Sequence, residues 1–169
     1  MDKLKVLITN MQKEIKIPTG VRLLIRKCCH AVLQMEEMSG SYEVSVSFVD
    51  NDQIRQLNAE YRNKDMPTDV LSFPLGTDGV FEPNKETGAL MLGDIAISVP
   101  KVYEQAQQFG HTIQREFAYL TVHSMLHLLG YDHETGGLES VRMREKEEAV
   151  LARLGLQRDS SYVIVESGQ

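Results

Sequence analysis

Only two cysteines occur in the 169 residues, Cys28 and Cys29, and they are neighbours. Adjacent thiols cannot staple distant segments together, and no Cys-x-x-Cys knuckle is available to hold a metal. Both fall within a helical pattern and read as packing residues of a chain in a reducing, cytoplasmic setting. Long apolar runs are missing too. No stretch approaches the ~20 residues that a membrane helix needs, and the short apolar run after Met1-Asp-Lys-Leu-Lys does not read as a signal peptide. Internal repeats, low-complexity tracts and linkers are absent, so a single domain spanning residues 1–169 is expected, long enough to bury a core. Hydrophobic content of 42% and charged content of 25% are ordinary for a soluble globular chain.

Positive charge is in short supply. Eighteen Lys and Arg face twenty-four Asp and Glu, a net charge of −6. That balance argues against general nucleic-acid affinity, and DNA is not an expected partner. The charge is nevertheless uneven. Residues 1–35 hold seven Lys/Arg and two Asp/Glu, a net of +5, and the remainder holds eleven against twenty-two, a net of −11. A basic face on an acidic molecule and a merely solvated helix face are both open readings of that asymmetry.

Periodicity supplies the elements. Leu4–Thr9 is β-branched and unbroken, as a strand requires. Pro18-Thr19-Gly20 opens a helix to about Met38, with Val21, Leu24, Ile25, Cys28, Val32 and Met35 at the helical period. Glu43–Val49 alternates as a half-buried strand. Asp50 caps a short helix over about Asn51–Tyr61. Val70–Phe73 is a short strand between Pro67 and Pro74, followed by an aperiodic loop, Leu75–Gly88. Leu92–Ser98 is a further strand, and Pro100 starts a helix that stops at Gly110. Thr112 caps a helix apolar on nearly every side, which predicts a central, buried position. Glu139–Leu154 is charged and amphipathic, with Val150, Leu151 and Leu154 inward and Gly155 as its stop; Tyr162–Val165 reads equally as a last strand or an ordered tail. The fold class expected is α+β: a mixed sheet of about four strands packed against helices, with a central buried helix carrying metal ligands in a zincin-like manner.

Histidine is scarce as well, which makes its placement informative. Three of five histidines fall in His123-Ser-Met-Leu-His127-Leu-Leu-Gly130-Tyr-Asp-His133. His123 and His127 stand four apart, on one helix face and about one turn (~5–6 Å) from each other. Gly130 can take a left-handed conformation and stop the helix, so that His133 returns toward the pair. Two nitrogens from a helix and a third from the next turn leave one position of a tetrahedral zinc open, as in catalytic rather than structural sites. Phe117, Ala118, Leu120, Val122, Met125, Leu126, Leu128 and Leu129 are too apolar for a solvated face, and three imidazoles buried there without a shared ligand would be costly.

A zinc held by three neutral imidazoles keeps its positive charge and acidifies bound water toward a pKa of ~7. The His-x-x-x-His-x-x-Gly-x-x-His spacing equals that of long-motif zinc peptidases, whose first His is followed by a Glu general base. Ser124 occupies that place, and a hydroxyl cannot take up a proton near neutral pH as a carboxylate does, so peptidase chemistry lacks its base. Asp132 can orient an imidazole or simply close the Gly-Tyr-Asp turn.

The histidine segment, Asn58-x-x-Tyr61-Arg62-x-Lys64-Asp65-x-Pro67-Thr68-Asp69-Val70-Leu71-Ser72-Phe73-Pro74, and Leu92-Gly93-Asp94-Ile95-Ala96-Ile97-Ser98 together resemble the bacterial YbeY family of endoribonucleases and ribosomal-RNA maturation factors. The resemblance covers about Ser45 to Leu154. It implies one zinc per chain on His123, His127 and His133, and a functionally important arginine at Arg62. It also implies hydrolytic cleavage of single-stranded RNA, with small-subunit 3′-end maturation and ribosome quality control as the setting and pre-rRNA and ribosomal components as partners. Physically, a guanidinium stays protonated and clamps a phosphate bidentately, so Arg62 beside the zinc would hold the scissile group. Lys64 and Asp65 are as readily turn residues as functional ones. Two other readings stand beside this one: a zinc-stabilised ribosome-assembly factor with slight nuclease activity, and a metallopeptidase.

Overall fold

The computed structural model describes residues 3–132 and 137–156. Within them the order is β1 (Lys3–Asn10), α1 (Val21–Met35), β2 (Ser41–Val49), α2 (Asn51–Arg62), β3 (Val70–Pro74), β4 (Leu90–Ser98), α3 (Val99–Phe109), α4 (Ile113–Leu128) and α5 (Gly137–Arg153). The fold is α+β. One four-stranded sheet has the order β1-β2-β4-β3. β1 pairs with β2 and β2 with β4 in parallel, while β3 runs antiparallel along β4 as an edge strand. Among the described residues no helix is long and apolar enough to cross a membrane. Tyr162–Val165 lies outside the described residues.

Strand alternation divides the apolar residues between the two sheet faces. Val44, Val46, Phe48, Leu92, Ile95 and Ile97 join the helices α1, α4 and α5 in a large core. Ala96, Leu71 and Val49 meet Ile54 of α2 in a much smaller cluster on the other side. α1 closes earlier than its apolar period suggests, at Met35, because Glu37 adopts a left-handed conformation (φ 54°) and turns the chain. Cys28 and Cys29 are free and fully buried in α1; burial raises the Cys28 thiol pKa to about 12 and that of Cys29 further, so both are packing groups rather than nucleophiles.

Two local devices bring the site elements together. Asp50 caps α2 by accepting from the Gln53 backbone N–H at 2.8 Å while the Gln53 side chain accepts from the Asp50 N–H at 2.9 Å. Gly93 sits in β4 beyond a register shift, with φ 148°. A Cβ there would come within 2.4 Å of the Phe73 carbonyl oxygen and 2.8 Å of a Leu128 methyl, so its absence lets β3 and the end of α4 approach closely.

Candidate active site

α4 is buried along almost its whole length, as its composition predicts. Thr112 caps it, its hydroxyl accepting from the Arg115 N–H at 3.0 Å. Its far end closes in a Schellman turn: Gly130 N–H donates to the His127 carbonyl (3.0 Å), and Tyr131 N–H donates to the Leu126 carbonyl (3.0 Å). Gly130 takes φ 107°, the left-handed conformation expected of it. The turn carries the Tyr131 carbonyl back beneath His127.

That reversal fixes the chemistry of the His127 ring. His127 Nδ1 lies 2.8 Å from the Tyr131 carbonyl oxygen. A carbonyl only accepts, so Nδ1 carries the proton and Nε2 is left with a lone pair. His123 Nδ1 is hydrogen-bonded to the Glu147 carboxylate, delivered by α5. The carboxylate again assigns a proton to Nδ1, and in the neutral ring Nε2 keeps the lone pair. The two Nε2 atoms then face each other at 3.2 Å, with the rings nearly perpendicular at 82°. Two lone pairs at that distance repel unless they share a cation or a proton. Tetrahedral zinc with ~2.05 Å Zn–N bonds would separate its nitrogens by ~3.3 Å, so the pair fits such an ion. No third His, Cys, Asp or Glu joins the pair in a metal-holding group among the described residues. His133, the expected third ligand, lies outside them.

Glu147 escapes a reading by local pattern. It sits among the charges of α5, yet its spacing to Met143, Val150 and Leu151 puts it on the buried face, where it is 5% exposed. An acid on the apolar stripe of an amphipathic helix is the signal that marks it. The orienting role open to Asp132 falls, for these two rings, to Glu147 and the Tyr131 carbonyl. Ser124 is fully buried.

The rings open on a cleft of about 510 Å³ lined by Arg62, Thr68, Asp69, Ser72, Tyr119, His123, His127 and Asp132, among others. Arg62 arrives from the opposite sheet face. It is the last residue of α2, where Asn63 turns left-handed (φ 58°) and the chain wraps around the β3 edge. The Asn58 side chain donates to the Met66 carbonyl at 2.9 Å and holds that wrap. Lys64 and Asp65 do not line the cleft; Asp65 instead accepts two hydrogen bonds from Arg55, at 2.8 and 3.2 Å. Of the polar run around Arg62, only part is thus brought to the histidines.

Tyr119 stacks on His123, with centroids 5.7 Å apart, and burial pushes its hydroxyl pKa up to about 12, so it remains a donor. Behind His123 a second hollow of about 440 Å³ shares Asp69, Tyr119 and His123 with the cleft. There the Gln105 amide donates to Glu116 (2.8 Å) and Asp69 (3.3 Å). Burial, more than any neighbour, raises the Glu116 pKa. The arrangement gathers an imidazole pair, a guanidinium and a hydroxyl donor around one solvent-accessible space. That is an inventory suited to phosphoryl hydrolysis.

Comparison with known proteins gives one family. The family model described as endoribonuclease YbeY matches residues 7–155. An endoribonuclease YbeY of Thermoanaerobacter sp. (strain X514) is 49% identical over 161 residues, covering 92% of this chain and all of the relative. That of Caldanaerobacter subterraneus subsp. tengcongensis is 51% identical over 160 residues, with 92% and 100% covered. Among solved structures, the solution structure of TM1509 from Thermotoga maritima superposes with a TM-score of 0.56 at 27% identity, covering 88% of this chain and 91% of that one.

Proposed function

Since the chain belongs to the YbeY endoribonuclease family, we propose that it is a zinc-dependent endoribonuclease that hydrolyses single-stranded RNA, with His123, His127 and His133 holding the metal and Arg62 holding the scissile phosphate. The observation that carries the reading is the pair of Nε2 atoms, 3.2 Å apart, in the lining of a cleft that Arg62 also lines. When bound, zinc supplies Lewis acidity and a more acidic water at neutral pH. The remaining work belongs to the protein. Glu147 and the Tyr131 carbonyl hold both rings in the tautomer that offers Nε2 to the cleft. Arg62 binds a non-bridging oxygen pair and offsets charge as it develops on the phosphoryl group. The Tyr119 hydroxyl stays protonated and can donate to the RNA.

The setting proposed with this activity is maturation of the small-subunit ribosomal-RNA 3′ end and ribosome quality control in the cytoplasm, with pre-rRNA and small-subunit components as partners. It rests on the family resemblance. The peptidase reading has the least support, because the residue after His123 is a buried serine rather than a carboxylate.

The test is cleavage of one sequence presented as single strand and as duplex, before and after removal of metal by a chelator. Cleavage of the single strand alone, lost with the metal and restored by zinc, is the expected result. Equal cleavage by the chelated protein would remove zinc from the mechanism, and inertness toward every RNA would remove the nuclease.

A further inference from the structure

A groove of about 560 Å³ between β1 and α1 is lined by Leu4, Lys5, Val6, Arg26, Lys27 and His30, with no carboxylate among them. Its charge is set by two periodicities. Leu4 and Val6 turn toward the core and α1, which puts Lys5 on the opposite side of the edge strand, so the groove's cations come chiefly from α1. Val21, Ile25, Cys28 and Cys29 bury one side of α1, which leaves Arg22, Arg26 and His30 as an exposed i, i+4 stripe with Lys27 alongside. Four cations elsewhere are held by acids, Arg55 by Asp65, Lys101 by Glu104, Arg115 by Glu148 and Lys146 by Glu36, so what sets the groove apart is several cations gathered on one lining without a carboxylate. Among the described residues neither Arg26 nor Lys27 has a carboxylate within 4.0 Å. Lys5 does have an acid beside it, its register partner Glu43, but that carboxylate already accepts from Thr87 (2.7 Å) and Asn84 (3.1 Å).

We propose that this groove is a second binding site for the phosphate backbone of single-stranded RNA, engaged when the strand extends beyond the cleft. The proposal rests on the ribonuclease reading above. A molecule of net charge −6 repels RNA at long range, so concentrated and unmatched positive charge is where a polyanion can dock. β1 and β3 are the two edges of the sheet, three strand spacings or about 14 Å apart. An extended strand advances roughly 6 Å per nucleotide, so an RNA of about two nucleotides held in the cleft stops short of the groove, and a longer one reaches both.

The experiment uses the full chain and two substitution pairs, Arg26→Gln with Lys27→Gln and Arg26→Glu with Lys27→Glu. Gln and Glu suit an exposed helix position, and thermal unfolding checks the fold. Binding and cleavage are measured on single-stranded RNAs of about two and about thirty nucleotides across a salt series. For the long RNA the Gln pair should weaken binding several-fold and make the log–log salt slope shallower by about 1.4, at ~0.7 per lost phosphate contact, with a larger loss for the Glu pair. Cleavage of the short RNA should match the parent. Unchanged affinity and slope on the long RNA would overturn the groove, and so would equal losses on both lengths, which would place the effect in the cleft or the fold. A parent that cleaves neither RNA would instead overturn the nuclease reading, so the two failures are distinguishable.

Discussion

The two faces of the sheet contribute to the cleft on unequal terms. On one face α4 is locked between α1, α5 and the strands, and the imidazole pair inherits that rigidity. On the other, α2 rests on a small cluster around Ile54, and Arg62 stands at its exposed end, having wrapped around the β3 edge. A cation site tolerates little error in ligand position, because bond lengths near 2 Å are fixed by the ion. A phosphate clamp tolerates more, since a guanidinium on a flexible stem adjusts to its anion. If the imidazole pair holds the proposed cation, the least forgiving geometry belongs to the more extensively packed face.

That contrast makes its strongest claim on the two halves separately. His127→Ala should lose the metal and, with it, cleavage by about 10³-fold or more, the equivalent of several kcal/mol of transition-state stabilisation. Arg62→Ala should keep metal content and thermal stability while cleavage falls ~10²-fold, and Arg62→Lys should recover only part, a point charge replacing a fork. Metal analysis beside kinetics and melting curves separates the halves. If the arginine variant also sheds metal, the two faces are not independent.

Glu147 probes the large core from within. Glu147→Ala leaves the His123 Nδ1–H without its acceptor and should lower zinc affinity by ~10–100-fold, read by competition with a chromogenic chelator. Glu147→Gln keeps a carbonyl oxygen at that place and should recover much of the loss. Identical affinities for Ala and Gln would mean that the carboxylate packs the helix rather than orients the ring.

The same unevenness explains what could be read from the chain. Helix α4, its Thr112 cap, the His123–His127 pair and the Gly130 stop are all local, so spacing alone places them. The sheet's α+β character and four strands follow from alternation, but the order β1-β2-β4-β3 depends on pairings between distant segments. Arg62 is marked by resemblance, whereas the separation of Arg62 from Lys64 and Asp65 is decided by the wrap around β3. Glu147 stayed hidden because its partner lies 24 residues away and its neighbours Lys146 and Glu148 are charged. Reading α5 from Val150, Leu151 and Leu154 stops one turn short of the Met143–Glu147 edge that faces the site.

The smallest effect separates two buried carboxylates of that core. Glu147 is matched by an imidazole; Glu116, 3% exposed in the first turn of α4, has chiefly the Gln105 amide. The α4 N-terminus favours its charge, yet burial prevails and its pKa is raised above the ordinary 4.5. The folded chain therefore holds this proton more tightly than the unfolded chain, so the group's contribution is favourable at low pH. That contribution is lost as pH rises from about the unfolded carboxyl pKa of ~4.3 through the folded value. Glu116→Gln keeps an oxygen for Gln105 and removes the titration. Urea unfolding at stepped pH should show the parent losing stability relative to the variant across that interval, with parallel curves on either side. Parallel curves throughout would mean that the carboxylate is hydrated through the second hollow, and that this end of α4 is less dry than the end bearing the histidines.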